Sequence, residues 1–211
     1  RLLQDRIRAR TMKRGGAGYV QPDQGSFPTL AEANRFFLAA GALPTLTWLD
    51  GSSAGEQAID ELFEESMSSG VAALNIIPDR NYTPGVVDDR LRHLREVVQI
   101  AQQRHLPVFV CTEMNSPGQK FIDNFESAEL QPLTPVFYQG AHIAYAHSVL
   151  QRMASLGYTS PWAREHFPKA DKRMLFFEEV GRRLVPRHEE RLRELTADVT
   201  PPRLLAMLTE S

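Results

Sequence analysis

The 211-residue chain contains a single cysteine, Cys111. That scarcity excludes an intrachain disulfide and any cysteine-based zinc site. Cys111 lies in the apolar run "LPVFVCTEM". It therefore reads as a small core residue of a chain kept in a reducing compartment, the cytoplasm. Net charge is also low, at −2. There is no global basic field for nucleic acid and no acidic tail, so a nucleic-acid partner is not expected. No run of about 18 apolar residues occurs, so neither a transmembrane helix nor a membrane partner is expected. The opening residues do not read as a secretory signal. His-x-His, His-Glu-x-x-His, the P-loop, Gly-x-Gly-x-x-Gly and Gly-x-Ser-x-Gly are all missing. Each would have pointed to a specific chemistry.

What is present is a rhythm of strands and helices. Hydrophobic residues make up 42% of the chain, enough for a core. Four short apolar runs read as strands: "AGYVQP" (residues 17–22), "ALPTLTWLDG" (42–51), "VAALNIIPDRN" (71–81) and "LPVFVCTEM" (106–114). Nearly continuous apolar strands indicate a parallel sheet covered on both faces. Helical periodicity lies between them. One helix would turn Leu30, Ala33, Phe37 and Ala40 inward, the next Ile59, Leu62, Phe63 and Met67, and a long third Leu91, Leu94, Val98 and Ala101. Thr29-Leu-Ala-Glu32, Ser53-Ala-Gly-Glu56 and Ser116-Pro-Gly-Gln119 each fit a capping box. The last predicts a helix directly after the fourth strand.

From about residue 130 the pattern changes. "QPLTPVFYQG" reads as a proline-bearing connection. The stretch after it is helical, with Ile143, His147, Leu150 and Ala154 on one stripe. A short helix capped by Ser160-Pro161 and two charged amphipathic helices follow, then a short terminal helix or tail. The chain thus divides into a βα-repeat region over 1–140 and a helical segment over 141–211 packing on the same domain. A (β/α)8 barrel needs about 250 residues, and four βα units are half of one. The expected fold is α/β: the C-terminal half of a (β/α)8-type barrel with additional C-terminal helices. The alternative is an open doubly wound parallel sheet. The opening residues resemble the middle of a longer protein, so a missing N-terminal half or a homo-oligomer is expected. The Arg-rich first helix and Phe176-Phe177 are the surfaces expected to seek a partner.

In a parallel sheet, polar residues just beyond the strands' carboxyl ends share one face, where α/β proteins bind ligands. The second strand ends at Asp50-Gly51, the third at Asn75 to Asn81, the fourth at Glu113-Met-Asn115, with Gln119 and Lys120 shortly after. Asp50, Asp79 and Glu113 are candidate ligands of a divalent metal ion, because hard cations take carboxylate oxygens. Glu113 and Lys120 are candidate catalytic groups for proton transfer. Asn75, Arg80, Asn115 and Gln119 are candidates to bind a small substrate, phosphorylated or polyhydroxylated. Each has a plainer role beside this one. Asp50-Gly51 suits a turn, Pro78-Asp79-Arg80-Asn81 a surface turn with an internal ion pair, and Lys120 a solvated position. Glu113 directly extends a buried strand and has no turn role. Among the histidines, His142 and His147 are five apart and share no helical face. His147 falls on an apolar stripe and reads as a satisfied core residue, while His93 and His105 read as solvated.

The βα rhythm and the "VCTEMN" strand end resemble the C-terminal part of metal-dependent hydrolase barrels of the polymerase-and-histidinol-phosphatase (PHP) type. The resemblance spans roughly residues 15–157. It implies a metal-bound phosphoesterase on a distorted barrel, with Glu113 as a ligand. The family's early His-x-His would lie upstream, and no Ser-Asp-x-His follows. Three functions are therefore expected in order: a metal-dependent hydrolase, possibly a phosphoesterase; a sugar isomerase or lyase; or a non-catalytic binding or structural half-domain.

Overall fold

The computed structural model describes residues 2–23, 25–83, 85, 88–114 and 117–209. Three apolar runs become strands: β1 (Thr45–Trp48), β2 (Ala73–Ile76) and β3 (Val108–Val110). They form one open parallel sheet in the order β1-β2-β3. Leu46, Leu74 and Val108 stand in register, as do Trp48, Ile76 and Val110. Strand neighbours follow chain order throughout. The reversal that makes a doubly wound switch point is absent among the described strands, and so is a closed barrel.

The expected strand over 17–22 is instead exposed coil, with Val20 82% accessible. Gly15, Gly16 and Gly18 raise the entropic cost of extending this stretch, and Pro22 lacks a ladder donor. Before it, α1 (Leu2–Thr11) buries none of its residues. The helix α2 (Leu30–Ala39) forms with the full capping box of Thr29 and Glu32. Its inward face is not the one expected. Leu30 and Phe37 are exposed, and the buried residue is Asn34, whose Nδ2 donates to the carbonyl of Ser69 at 3.0 Å. With no strand at 17–22 beneath it, α2 is fastened by that polar contact.

The crossover after β1 is two helices, α3 (Ala54–Gln57) and α4 (Ile59–Ser68), broken at Ala58. After β2 comes a single turn, α5 (Pro78–Asn81), then α6 (Asp89–Gln103), whose cap Asp88 accepts from the amide of Leu91. Phe63 of α4 and Leu91, Leu94, Val98 and Ala101 of α6 pack with Trp48, Leu74, Ile76 and Val108 into one core. Burying each large side chain contributes about 1.5–3 kcal/mol. Thr45 and Thr47, on the other face of the sheet, stay exposed.

Three further expectations fail beyond β3. Cys111 is exposed, because the strand ends at Val110 and the chain leaves the core there. Ser116 lies outside the described residues, but residues 117–130 contain no helix, and Gly118 takes φ +86°. That left-handed conformation is incompatible with a helix beginning there. The stretch expected as a proline-bearing connection is helical instead. A 3₁₀ turn (Gln131–Leu133) leads into α7 (Thr134–Ala154), whose proline sits in the first turn, where a missing N–H is tolerated.

The remaining helices are α8 (Pro161–His166), α9 (Ala170–Arg183), α10 (Glu189–Leu192) and α11 (Pro201–Met207). The charged helix expected around α10 is only this one turn plus a 3₁₀ turn (Pro186–His188). These helices build a second core against α7. Phe176 and Phe177 are 7% and 0% exposed inside it, so they are not a partner-seeking surface. Among the described residues no helix is long and apolar enough to cross a membrane.

Candidate functional site

Since β1, β2 and β3 are parallel, the segments after them leave the sheet from one end. Two buried polar side chains hold those segments together. Glu56 of α3 accepts from the amide of Leu49 at 2.6 Å and from the hydroxyl of its cap Ser53. Asn81, fully buried, donates its Nδ2 to the carbonyls of Leu49 at 2.7 Å and Ile77 at 2.8 Å. The carboxyl ends of β1 and β2 are thus fastened by bonds that no apolar residue could replace.

On this base, the charged groups form two sets. In the first, Arg80 on α5 donates through Nη1 to Glu113 at 2.7 Å, bridging the segments after β2 and β3. Its charge also reaches Asp50 after β1. Asp50 accepts from the Ser52 amide at 3.0 Å and the Ser52 hydroxyl at 2.5 Å. Those hydrogen bonds are the main reason its carboxyl lies below the ordinary range. Gly51, at φ +77°, has no Cβ to hinder the imidazole of His93 packing against it. His93, expected to be solvated, is half-buried there, and its Nδ1 has no partner among the described residues.

In the second set, Lys120 lies 3.5 Å from Asp79, donates to the Tyr82 hydroxyl at 3.3 Å and sits 4.8 Å from the centre of the Tyr82 ring. Burial works to lower the Lys120 pKa, but Tyr82 and Asp79 outweigh it and hold it above its usual value. Asp123 completes the set. It is 5% exposed, and neither carboxylate oxygen has a hydrogen-bond partner among the described residues. Burial pushes its carboxyl above the ordinary range; the charge of Lys120 opposes this, and that of Asp79 adds to it.

Of the candidates, then, Asp79 and Lys120 meet directly, as do Arg80 and Glu113. Asn75 lies mid-strand on the open face of the sheet, donating to the Thr47 hydroxyl at 3.3 Å. Gln119 is half-buried beside Lys120 in the loop. Asn115 lies outside the described residues. Compared with protein-family models, curated proteins and solved structures, the chain matches none.

Among the described residues, no three His, Cys, Asp or Glu side chains gather into a group that could hold a metal ion. The expected ligands are engaged elsewhere: Asp50 with Ser52, Asp79 with Lys120, Glu113 with Arg80.

The sequence reading missed Asp123, Tyr82, Asn81, Glu56 and His93. Asp123 carried a signal. It is an acid inside "KFIDNF", between aromatic and aliphatic residues, and a carboxyl in such a run is a candidate for burial. An apolar cavity of about 280 Å³ opens nearby in the chain, lined by Val110 and Phe125 together with Phe137 and Tyr138 of α7.

Proposed function

We propose that the chain transfers protons on small hydroxylated carbonyl compounds, as a sugar isomerase or lyase does. The observation that carries this is Asp123: a buried carboxyl with no hydrogen-bond partner among the described residues, beside a lysine and a second carboxylate. A carboxyl whose pKa burial raises keeps its proton to higher pH and suits proton donation, and a carboxylate on the same face suits a base. In this reading Glu113 removes a proton from the carbon next to the substrate carbonyl. The Lys120 ammonium stabilises the resulting oxyanion, and Asp123 returns a proton. Exchange with water restores both acids. A site at the strands' carboxyl ends suits a (β/α)8-type barrel and an open α/β sheet alike.

Metal-dependent phosphoester hydrolysis would require Asp50, Asp79 and Glu113 to converge, and nothing in their geometry favours it. The test is incubation with a panel of aldoses, ketoses and their phosphates in D2O, followed by NMR. The expected result is deuterium incorporation next to the carbonyl, lost in Asp123→Asn and Lys120→Met. Incorporation at full rate in Asp123→Asn, or none on any compound, refutes the proposal. Phosphate release that needs added Mg²⁺ or Mn²⁺ and fails in Asp50→Asn and Asp79→Asn would instead favour the hydrolase.

A further inference from the structure

A second cavity, of about 540 Å³, lies at the opposite end of the sheet, where the chain enters β2 and β3. Arg104, His105, Arg164 and Arg173 line it, with Tyr158 and Thr159, and no acidic residue does. The basic groups arrive from three separate places. Arg104 ends α6 and His105 follows it at φ +54°. Arg164 is on α8, and Arg173 is near the start of α9.

The three guanidinium groups differ in what already holds them. Arg164 is exposed, and its side chain has no hydrogen bond or ion pair among the described residues. Arg173 lies 5.1 Å from the centre of the Tyr158 ring and donates Nη1 to the Phe167 carbonyl at 3.2 Å. Its buried Nε–H has no partner among the described residues. Arg104 pairs with Asp60 at 2.7 Å. The Asp60 side chain is 75% exposed, so water and salt screen that pair. Ala170, the first residue of α9, also borders the cavity, and the cap Lys169 makes no side-chain cap bond. The acid of that first turn, Asp171, lines a different cavity.

Like charges around a shared concavity repel, and an anion relieves the repulsion. Guanidinium forks match the oxygens of a phosphate, which carries charge and acceptors on every side. The volume falls in the range of about 300–1,000 Å³ typical of small-molecule sites. It exceeds what one phosphate needs. We infer that this cavity binds a phosphate group, free or as the ester of a small molecule, through Arg164, Arg173 and Arg104. It is separate from the carboxyl-end site and does not depend on the chemistry proposed there.

The test is calorimetric titration of the full chain with inorganic phosphate and, separately, glycerol phosphate at low ionic strength. Saturable binding is expected, weakening as NaCl is added. Tighter binding of glycerol phosphate identifies the ester as the ligand, and equal binding identifies free phosphate. Arg164→Gln, at an exposed position, should lower affinity about tenfold or more while leaving the melting temperature unchanged. Arg173→Gln should do the same or worse, with its folding checked by circular dichroism. Arg182→Gln, on α9 but outside the cavity, should leave affinity unchanged. No saturable binding of either probe up to about 10 mM overturns the inference. So does unchanged affinity in Arg164→Gln, or an equal loss in Arg182→Gln.

Discussion

Replacing Asp123 by asparagine keeps the shape of the side chain and removes its charge. For most buried polar residues such a change destabilises, because a partner is left unsatisfied. Asp123 has no hydrogen-bond partner to lose among the described residues, and its carboxylate is 5% exposed. Leaving a buried polar group unsatisfied costs about 1–3 kcal/mol, more for a charged one. The asparagine amide would be buried and unpartnered as well, so the substitution removes only the additional penalty on the charge, and Asp123→Asn should stabilise the protein at pH 7 by on the order of 1 kcal/mol. For a chain of this length that raises the melting temperature by about 2–4 °C. The pH dependence gives the sharper test. Burial raises the Asp123 pKa in the fold, so the folded state holds this proton more tightly than the unfolded chain. Its contribution to stability is best below the unfolded value of about 3.9. It declines as pH rises from there through the folded value. The advantage of the asparagine variant must therefore be greatest at neutral pH and shrink as pH falls toward 4. Thermal melts by circular dichroism across that range, for both proteins, measure it. A variant that melts lower than the parent at pH 7, or a gap that widens in acid, would show that the carboxylate has a compensating partner. The reasoning on Asp123 would then fall. A stabilised variant that is also inactive is the signature of a residue kept for function at the expense of stability.

Glu113→Gln removes the charge that pairs with Arg80, but the two side chains are 26% and 35% exposed, so stability should change by only about 0–1 kcal/mol; a larger loss in urea unfolding would make the pair structural. Gly140→Ala in α7 should destabilise by about 1–3 kcal/mol, because the added Cβ would lie 1.8 Å from the carbonyl oxygen of Val108. An ordinary mid-helix glycine would instead gain about 1 kcal/mol on the same change, so the sign of the shift in a thermal melt decides whether α7 and β3 touch this closely. Buried His147 accepts at Nδ1 from the Tyr158 amide and donates Nε2–H to the Gly41 carbonyl; burial lowers its pKa, which the Gly41 bond only partly offsets. Its stability contribution should be complete above about pH 6.5 and be lost as pH falls below that value, and an NMR titration should find its midpoint below that of an unfolded reference, a midpoint above it refuting the assignment.

The sequence by itself determined the local elements. The 3.6-residue spacing of Leu91, Leu94, Val98 and Ala101 set both the existence of α6 and its inward face. Thr29, Ser53 and Ser160 marked helix starts that form as read. Three apolar runs became parallel strands, and their carboxyl ends brought Asp50, Asp79, Arg80 and Glu113 to one side of the sheet. These are short-range patterns; the helices satisfy their backbone hydrogen bonds locally, whereas the strands need partners such as Ala73 for Thr45 and Val108 for Leu74. Only the tertiary structure decided what each polar residue meets. The capping pattern at 116–119 pointed to a helix, but Gly118 turns the chain into a loop that carries Asp123 into the interior. The aromatic pair of α9 looked like a surface until α7 covered Phe177 and Trp162 packed at 5.8 Å from Phe176. Asn34 rather than Phe37 became the buried residue of α2, because a carbonyl at the end of α4 was there to receive it. Burial is a property of neighbours distant in the chain, and periodicity within one segment does not specify which of them arrive.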